Sequence, residues 1–290
     1  MKKEGSKRKH LSVRRYTQLL AAVMYNCNLP GFWKGEIYQG DIKGVCVPGL
    51  NCYSCPGAVV ACPLGSLQSG LASFRYKIPF YVIGTLLLFG LLCGRLICGF
   101  LCPFGFLQEL LYKIPGKKIK KSKFTRALSK LKYIVLLAFV IVIPLVKFVP
   151  AFCKYICPAG TLAGGIPLVI QNETLREMVG ALFSWKVFVL AAVLLVCIFC
   201  YRAFCRFLCP LGALYSFFNP IAFFGIKVDE SKCTHCKTCV HQCKMDVKKV
   251  CDGECIQCGE CKKHCPHQAI SFGYKGIIKP PAKKEESISR

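Results

Sequence analysis

The stretch Cys233-Thr-His-Cys236-Lys-Thr-Cys239-Val-His-Gln-Cys243, followed by Cys255-Ile-Gln-Cys258-Gly-Glu-Cys261-Lys-Lys-His-Cys265-Pro266, decides the fold of the C-terminal part of this chain. Each run has three cysteines with two residues between neighbours, and a fourth cysteine after three more residues. Three thiolates at this spacing fit in one tight loop, where each binds a different iron of one cluster. The duplicated run therefore predicts two [4Fe–4S] clusters.

The fourth cysteine of each run is expected to bind the cluster of the other run, as it does in two-cluster bacterial ferredoxins. A zinc site is the competing interpretation, but it needs only four thiolates and leaves cysteines of each run without a role. Lys244 stands where the first run would carry proline, which affects the loop geometry and not the ligands. The expected ligands are Cys233, Cys236, Cys239 and Cys265 for cluster 1, and Cys243, Cys255, Cys258 and Cys261 for cluster 2.

The composition excludes a disulfide scaffold and argues against a nucleic-acid partner. The chain has 290 residues, of which 54% are hydrophobic, and its 23 cysteines stand mostly at metal-ligand spacing. Disulfide scaffolds are small and secreted. The formal charge of +26 would favour nucleic acid, but the basic residues concentrate beside apolar runs, as they do in membrane proteins.

Apolar stretches predict about four transmembrane helices, since a span takes about 20 residues. They are the shorter 17–33 and the longer 78–97, 133–152 and 183–204. Lysine and arginine are dense before residue 16 and in 113–132, and sparse in 34–77 and 153–182. By the positive-inside rule, the N-terminus, 98–132 and the C-terminal module are cytoplasmic, and the chain is a multi-pass protein of the cytoplasmic membrane.

A second motif, Cys-Pro-x-Gly-x-Leu, occurs four times near the ends of these spans, beginning at residues 62, 102, 157 and 209. The last three copies have another cysteine four residues earlier. Sidedness predicts an inner membrane cluster held by Cys98, Cys102, Cys205 and Cys209, and a further outer cluster that draws on Cys52, Cys55, Cys62, Cys153 and Cys157. The alternative is that these small residues only pack helix ends.

Together these motifs resemble the membrane-bound ferredoxin-type [4Fe–4S] protein family, exemplified by NapH-like quinol dehydrogenase membrane components. The third motif and the cysteine-rich loop 46–63 go beyond that family's simple two-motif pattern. The expected fold is a membrane α-helical domain with a C-terminal α+β module like a two-cluster bacterial ferredoxin. The expected divisions are 1–33 (basic N-terminus and first span), 34–77 (outer loop), 78–225 (membrane domain), 226–275 (ferredoxin module) and 276–290 (polar tail).

The resemblance implies electron transfer between a cytoplasmic donor or the quinone pool and a partner redox protein. Two alternatives stay open: a quinol dehydrogenase subunit proper, and an assembly or regulatory factor that reduces a metal or thiol on a partner metalloenzyme. The expected cofactors are two [4Fe–4S] clusters, with room in the pattern for one or two further Fe–S clusters and a quinone. The expected partners are membrane lipid and either a soluble carrier, such as ferredoxin or flavodoxin, or a partner redox enzyme.

Overall fold

The computed structural model describes residues 4–73, 79–119 and 121–275, and these form a helical domain followed by a small C-terminal module. The α-helices, in chain order, are α1 (Glu4–Tyr25), α2 (Pro30–Lys34), α3 (Pro63–Ala72), α4 (Phe80–Cys93), α5 (Leu96–Phe100), α6 (Pro103–Leu111), α7 (Lys123–Leu128), α8 (Leu131–Val135), α9 (Ile143–Lys147), α10 (Ala151–Tyr155), α11 (Pro158–Gly160), α12 (Ile166–Gln171), α13 (Glu173–Glu177), α14 (Ala181–Phe199), α15 (Ala203–Phe207), α16 (Pro210–Phe218), α17 (Thr238–His241) and α18 (Glu260–His264). A 3₁₀ turn covers Asp41–Gly44, and π-helical turns cover Leu136–Val142 and Thr161–Gly165.

Two helical segments in the described residues are long and apolar enough to cross a membrane, namely Lys123–Lys147 and Ala181–Phe199. Their apolar side chains point largely outward: Ile134 is 63% exposed and Phe188 64%. Extended apolar surface of this kind is rare on soluble monomers and common where a helix faces lipid. These helices indicate association with a membrane.

The other two predicted spans differ from the helices that form. The stretch 17–33 is divided, because α1 ends at Tyr25 and α2 starts at Pro30. The stretch 78–97 forms the 14-residue α4, which ends at Gly94 with a positive φ of 53°, and then α5. Ile78, where that predicted span begins, and the tail 276–290 lie outside the described residues. Four spans therefore stay a prediction.

Each Cys-Pro-x-Gly motif starts a helix, with the cysteine at the N-cap and the proline in the first turn. Proline suits this position because its fixed φ is helical and its missing N–H has no intrahelical acceptor there. In three copies the glycine N–H donates to the cysteine Sγ at 3.4 Å, as Gly105 does to Cys102. The motif thus caps a helix with sulfur and leaves the thiol at the helix end.

The C-terminal module is enclosed by two antiparallel strands, β1 (Phe224–Val228) and β2 (Ile270–Tyr274), in register at Ile226 and Phe272. Its small core contains Met245, Val247 and Ile256, all nearly fully buried. The helical domain has a larger core, which contains cysteines of both Cys-Pro motif pairs. The observed fold is mainly helical, as predicted, with an α+β module at the C-terminus.

Candidate metal centres

The structure gathers sixteen cysteines around four cavities, with four cysteines lining each cavity. Quartet 1 is Cys233, Cys236, Cys239 and Cys265, and quartet 2 is Cys243, Cys255, Cys258 and Cys261. Quartet 3 is Cys98, Cys102, Cys205 and Cys209, and quartet 4 is Cys52, Cys62, Cys153 and Cys157. Cys265 thus lies with the cysteines of the first run and Cys243 with those of the second, while their binding to clusters stays a prediction.

Quartet 3 is built by two copies of one longer motif, Arg-x2-Cys-x3-Cys-Pro-x-Gly, at residues 95–105 and 202–212. The two arginines cross over. Arg95 Nη2 donates to the carbonyl of Cys205 at 3.4 Å, and Arg202 Nη1 donates to the carbonyl of Cys98. Both arginine side chains are fully buried. The exchange holds the two helix ends together and places positive charge beside four thiols.

The motif glycines make room for these arginines. A Cβ at Gly105 would lie 3.2 Å from the guanidinium nitrogens of Arg202, and one at Gly212 would lie 3.6 Å from Arg95 Nη2. The longer motif was visible in the sequence, because aligning the repeat copies on their cysteines brings the two arginines into register. The positive-inside argument uses only the loop segments and so does not involve these two arginines.

Quartet 4 also has motif cysteines at helix N-termini, but its fourth cysteine comes from a different position in the chain. Ala58 stands four residues before Cys62, where the other copies have cysteine, and Cys52 lines the cavity instead. A Cβ at Gly160 would lie 3.5 Å from Cys52 Sγ, so the motif glycine admits the loop. Cys55, the fifth cysteine of the predicted outer set, is buried but is not part of the cavity lining.

The residues around the four quartets fit iron–sulfur clusters. Four cysteine sulfurs are the usual ligand set of a [4Fe–4S] cluster. Buried N–H donors without a hydrogen-bond acceptor in the described part of the chain lie beside two quartets: Asn51 Nδ2 at quartet 4, and Arg95 Nε and Arg202 Nη2 at quartet 3. An inorganic sulfide would supply an acceptor to such donors, which otherwise leave a buried polar group unpaired.

The cavity volumes also favour iron–sulfur clusters at three of the four quartets. The cavities measure about 290 Å³ at quartet 1, 150 Å³ at quartet 2 and 730 Å³ at quartet 4, against about 10 Å³ at quartet 3. The cavity at quartet 3 is the smallest of the four. Burial raises the pKa of Cys52 to about 11 and that of Cys255 to about 12, so these two thiols stay protonated near neutral pH when no metal is bound. Iron bound at these cysteines would replace the thiol protons.

Buried ion pairs fix the C-terminal module against the helical domain. Glu254, the residue before Cys255, accepts from Lys132 Nζ at 2.6 and 2.5 Å and from Arg95 Nη1 at 3.1 Å. Asp246 pairs with Arg206, whose Nε donates at 2.6 Å. Each pair joins an acid of the module to a base of the helical domain. No motif predicted these contacts, because the partners lie far apart in the sequence.

Lys244, the replacement for the expected proline, has a contact of its own. Its ammonium lies 5.7 Å from the ring centroid of Tyr112 and 5.4 Å from that of Tyr201. These distances are within the range of a cation–π interaction. Lys244 therefore helps to hold the loop after Cys243 against the helical domain, which gives the replacement of the expected proline a structural role.

The apolar helices and the cysteine-rich C-terminal module define an iron–sulfur protein of the electron-transfer class. A 4Fe-4S binding domain model matches residues 78–122, 132–168 and 181–228, and a second one matches residues 252–271. The chain belongs to the membrane-bound ferredoxin-type family of 4Fe-4S proteins, so the resemblance seen in the sequence is confirmed.

Three relatives illustrate the family. An uncharacterized protein of Methanocaldococcus jannaschii is 35% identical over 218 residues, which are 72% of this chain and 82% of that protein. YccM of Escherichia coli, to which electron transport is ascribed, is 26% identical over 76% of this chain and 62% of its own. The regulatory protein NosR of Pseudomonas aeruginosa is 28% identical over 59% of this chain, which spans only 24% of NosR. No solved structure matches the chain.

Proposed function

We propose that the protein relays electrons through a line of four [4Fe–4S] clusters, one in each quartet, between a soluble carrier or partner enzyme and a second redox partner. When bound, such a cluster accepts and releases single electrons, at a potential set by its protein surroundings. The observation that carries this proposal is that consecutive quartets are neighbours. The chain's own residues hold them close, and electron tunnelling falls steeply with distance.

Quartets 1 and 2 adjoin through the short helices α17 and α18, which contact each other and carry Cys239 and Cys261. Val240 lines the quartet 1 cavity and also packs on the core that contains Ile256. Apolar side chains of this core therefore lie between the two cavities. An electron that enters the module at either quartet has a short path to the other.

Quartets 2 and 3 adjoin through a backbone contact. Ile256 lies between two cysteines of quartet 2, and Gly99 follows Cys98 of quartet 3. A Cβ at Gly99 would lie only 2.3 Å from the Ile256 carbonyl oxygen. Because glycine alone permits this approach, the module's loop sits directly on the end of α5. The buried ion pairs of Glu254 and Asp246 hold it there.

Quartets 3 and 4 share a wall, since Leu50 lines both cavities. Tyr215, fully buried on α16, donates to the Pro48 carbonyl at 3.1 Å and so fixes this segment of the loop. The positive-inside distribution of basic residues supports a cytoplasmic location for the N-terminus and the module. Quartet 4 would then carry electrons toward the other side.

Quartet 1 is the contact point that we propose for a soluble carrier. Its Cys236 is exposed, and the surrounding cavity is lined by four lysines. An acidic carrier such as a flavodoxin or ferredoxin would be attracted to this surface, and salt would screen that attraction. These lysines are Lys232, Lys237, Lys248 and Lys249. Reduction by such a carrier should therefore slow as ionic strength rises, and a rate independent of salt would contradict the docking site.

The relay is tested with sealed vesicles that contain the protein in one orientation, a reduced carrier outside and an electron acceptor trapped inside. Cys157→Ala should abolish transfer to the trapped acceptor while the module's clusters are still reduced. Cys55→Ala is the matched control, because Cys55 is buried in the same region but does not line the quartet 4 cavity. Equal transfer in both variants would overturn the relay through quartet 4.

A further inference from the structure

Two glutamines occupy the same position in two copies of the repeated motif. The copies read Cys62-Pro-Leu-Gly-Ser-Leu-Gln68 and Cys102-Pro-Phe-Gly-Phe-Leu-Gln108, whereas Ala163 and Tyr215 stand there in the other two. Both glutamine side chains are fully buried. A buried amide has two donors and an acceptor that need partners. The partners are the same kinds of atom in both places.

Gln108 connects α6 to the motif that begins at Cys205. Its Nε2 donates to Cys205 Sγ at 3.0 Å, and its Oε1 accepts from the backbone N–H groups of Phe204 and Cys205 at 3.1 and 3.4 Å. Nε2 also donates to the Phe104 carbonyl at 3.3 Å. Two backbone donors face one end of the amide, so that end must be the oxygen, and the NH₂ must face the sulfur.

Gln68 repeats this arrangement at quartet 4. Its Nε2 donates to Cys153 Sγ at 3.3 Å and to the Leu64 carbonyl at 3.3 Å, and its Oε1 accepts from the Phe152 N–H at 2.9 Å. In both places the glutamine reaches the first cysteine of the opposite motif and the residue before it. The same contacts at two separate sites of one chain make an accident of packing a poor explanation.

An N–H···S hydrogen bond acts differently on a thiol and on an iron-bound thiolate. Thiolate sulfur carries negative charge, so the bond to it is charge-assisted and stronger. Adding one electron to a bound cluster increases the negative charge on its sulfurs, and the hydrogen bond then stabilises the reduced state more than the oxidised state. Hydrogen bonds to sulfur are among the factors that set cluster potentials.

We propose that Gln68 and Gln108 are matched positioning residues, each of which orients one cysteine ligand and raises the reduction potential of its own quartet's cluster. Gln68 acts on quartet 4 and Gln108 on quartet 3. This inference rests on the proposed function, because it requires clusters in those two quartets. It adds a device by which the chain sets the potentials of two neighbouring steps separately.

The test is a redox titration of the whole protein, followed by electron paramagnetic resonance, with dithionite as reductant. Methionine replaces each glutamine, since it is similar in length and has no amide donor. Gln108→Met should lower one midpoint by about 59 mV, a tenfold change in the ratio of oxidised to reduced cluster for one electron. Gln68→Met should lower a different midpoint by a similar amount.

Cysteine variants assign each reduction midpoint to its quartet. The midpoint that Gln108→Met lowers should be the one missing in Cys209→Ala, and the midpoint that Gln68→Met lowers should be the one missing in Cys157→Ala. Gln18→Met is the matched control: Gln18 is equally buried, but its amide donates to the Gly99 carbonyl at 2.9 Å. That variant should leave all midpoints in place, and a shift as large as that of Gln108→Met would overturn the inference.

A second measurement does not depend on how the variants fold. In wild-type protein with ¹⁵N in the glutamine amides, pulsed electron paramagnetic resonance should detect ¹⁵N coupling to the clusters of quartets 3 and 4. Unshifted midpoints together with no such coupling would overturn the role of the glutamines and leave the relay intact. If neither cysteine variant removes a signal, the quartets hold no clusters, and both the relay and this inference fail.

Discussion

Removal of the Asp246 carboxylate should release the C-terminal module from the helical domain. Asp246 and Arg206 are 2% and 1% exposed, and Arg206 donates to Asp246 Oδ2 from Nε at 2.6 Å and also from Nη2. Thr125 completes the group, with Oγ1 accepting from Arg206 Nη2 at 3.0 Å. Asp246→Ala leaves a buried guanidinium without its carboxylate.

The expected cost follows from that burial. Removing one partner of a buried ion pair costs about 3–5 kcal/mol, because the remaining charge stays desolvated. At about 1.4 kcal/mol per factor of ten, the opening equilibrium of the module should shift by a factor of roughly 10² to 4 × 10³. Hydrogen exchange of the amides in residues 245–258, followed by mass spectrometry, measures this shift as a faster exchange rate.

Two further variants show whether faster exchange comes from the unpaired charge of Arg206 or from general damage to the fold. Arg206→Met combined with Asp246→Ala removes the unpaired charge and should recover much of the protection, since apolar residues can replace buried ion pairs. Asp229→Ala breaks an ion pair with Lys232 whose side chains are 45% and 64% exposed, and it should leave exchange unchanged. If Asp246→Ala exchanges no faster than Asp229→Ala, the module is not held by this pair.

Three further predictions concern contacts that the helical domain makes with the module and within itself. Gly99→Val should lower the stability of the docked module by about 1–3 kcal/mol through overpacking, because the new side chain meets the Ile256 carbonyl. It should also slow the reduction of quartet 3 in stopped-flow experiments. Gly84→Val is the control: no atom lies within 4 Å of its Cβ position, so neither effect is expected. Burial raises the pKa of Glu109, but two neighbouring arginines outweigh it and hold the pKa below its usual value. The stabilisation from Glu109 is therefore complete above the unfolded pKa and is lost as pH falls through the folded one, so the difference in thermal stability between wild type and Glu109→Gln should shrink in acid; a constant difference would contradict this. Lys244→Ala should weaken docking by about 0.5–1 kcal/mol through loss of its contacts with two tyrosine rings, as measured by the same exchange experiment, and unchanged exchange would exclude that role.

The sequence predicts those parts of the site that depend on the spacing of residues close together in the chain. The spacing in the ferredoxin-like runs and the Cys-Pro motifs identifies the candidate ligand cysteines directly. The alternation of basic and apolar segments is then enough to group Cys98 and Cys102 with Cys205 and Cys209. The structure brings these same four together. In such cases the geometry is set within a few residues of each cysteine.

The sequence does not predict which residues come together when that depends on the path of a loop. Cys52 and Cys55 have equal claims by spacing, and only the folded loop separates them: a Cβ at Gly164 would lie 3.0 Å from the Ser54 carbonyl, so the loop packs closely there. The ion pairs of Glu254 and Asp246 join residues more than 30 positions apart. The glutamines were readable as the seventh position of two repeat copies, but their sulfur partners were not.

The most direct test of the central claim is the amount of iron and acid-labile sulfide per chain in anaerobically purified protein. Four occupied quartets predict about sixteen irons and sixteen sulfides per chain. A value of about eight of each would mean that only the ferredoxin-like runs hold clusters. The repeated Cys-Pro motifs would then serve only to pack helix ends, and the relay through quartets 3 and 4 would be wrong.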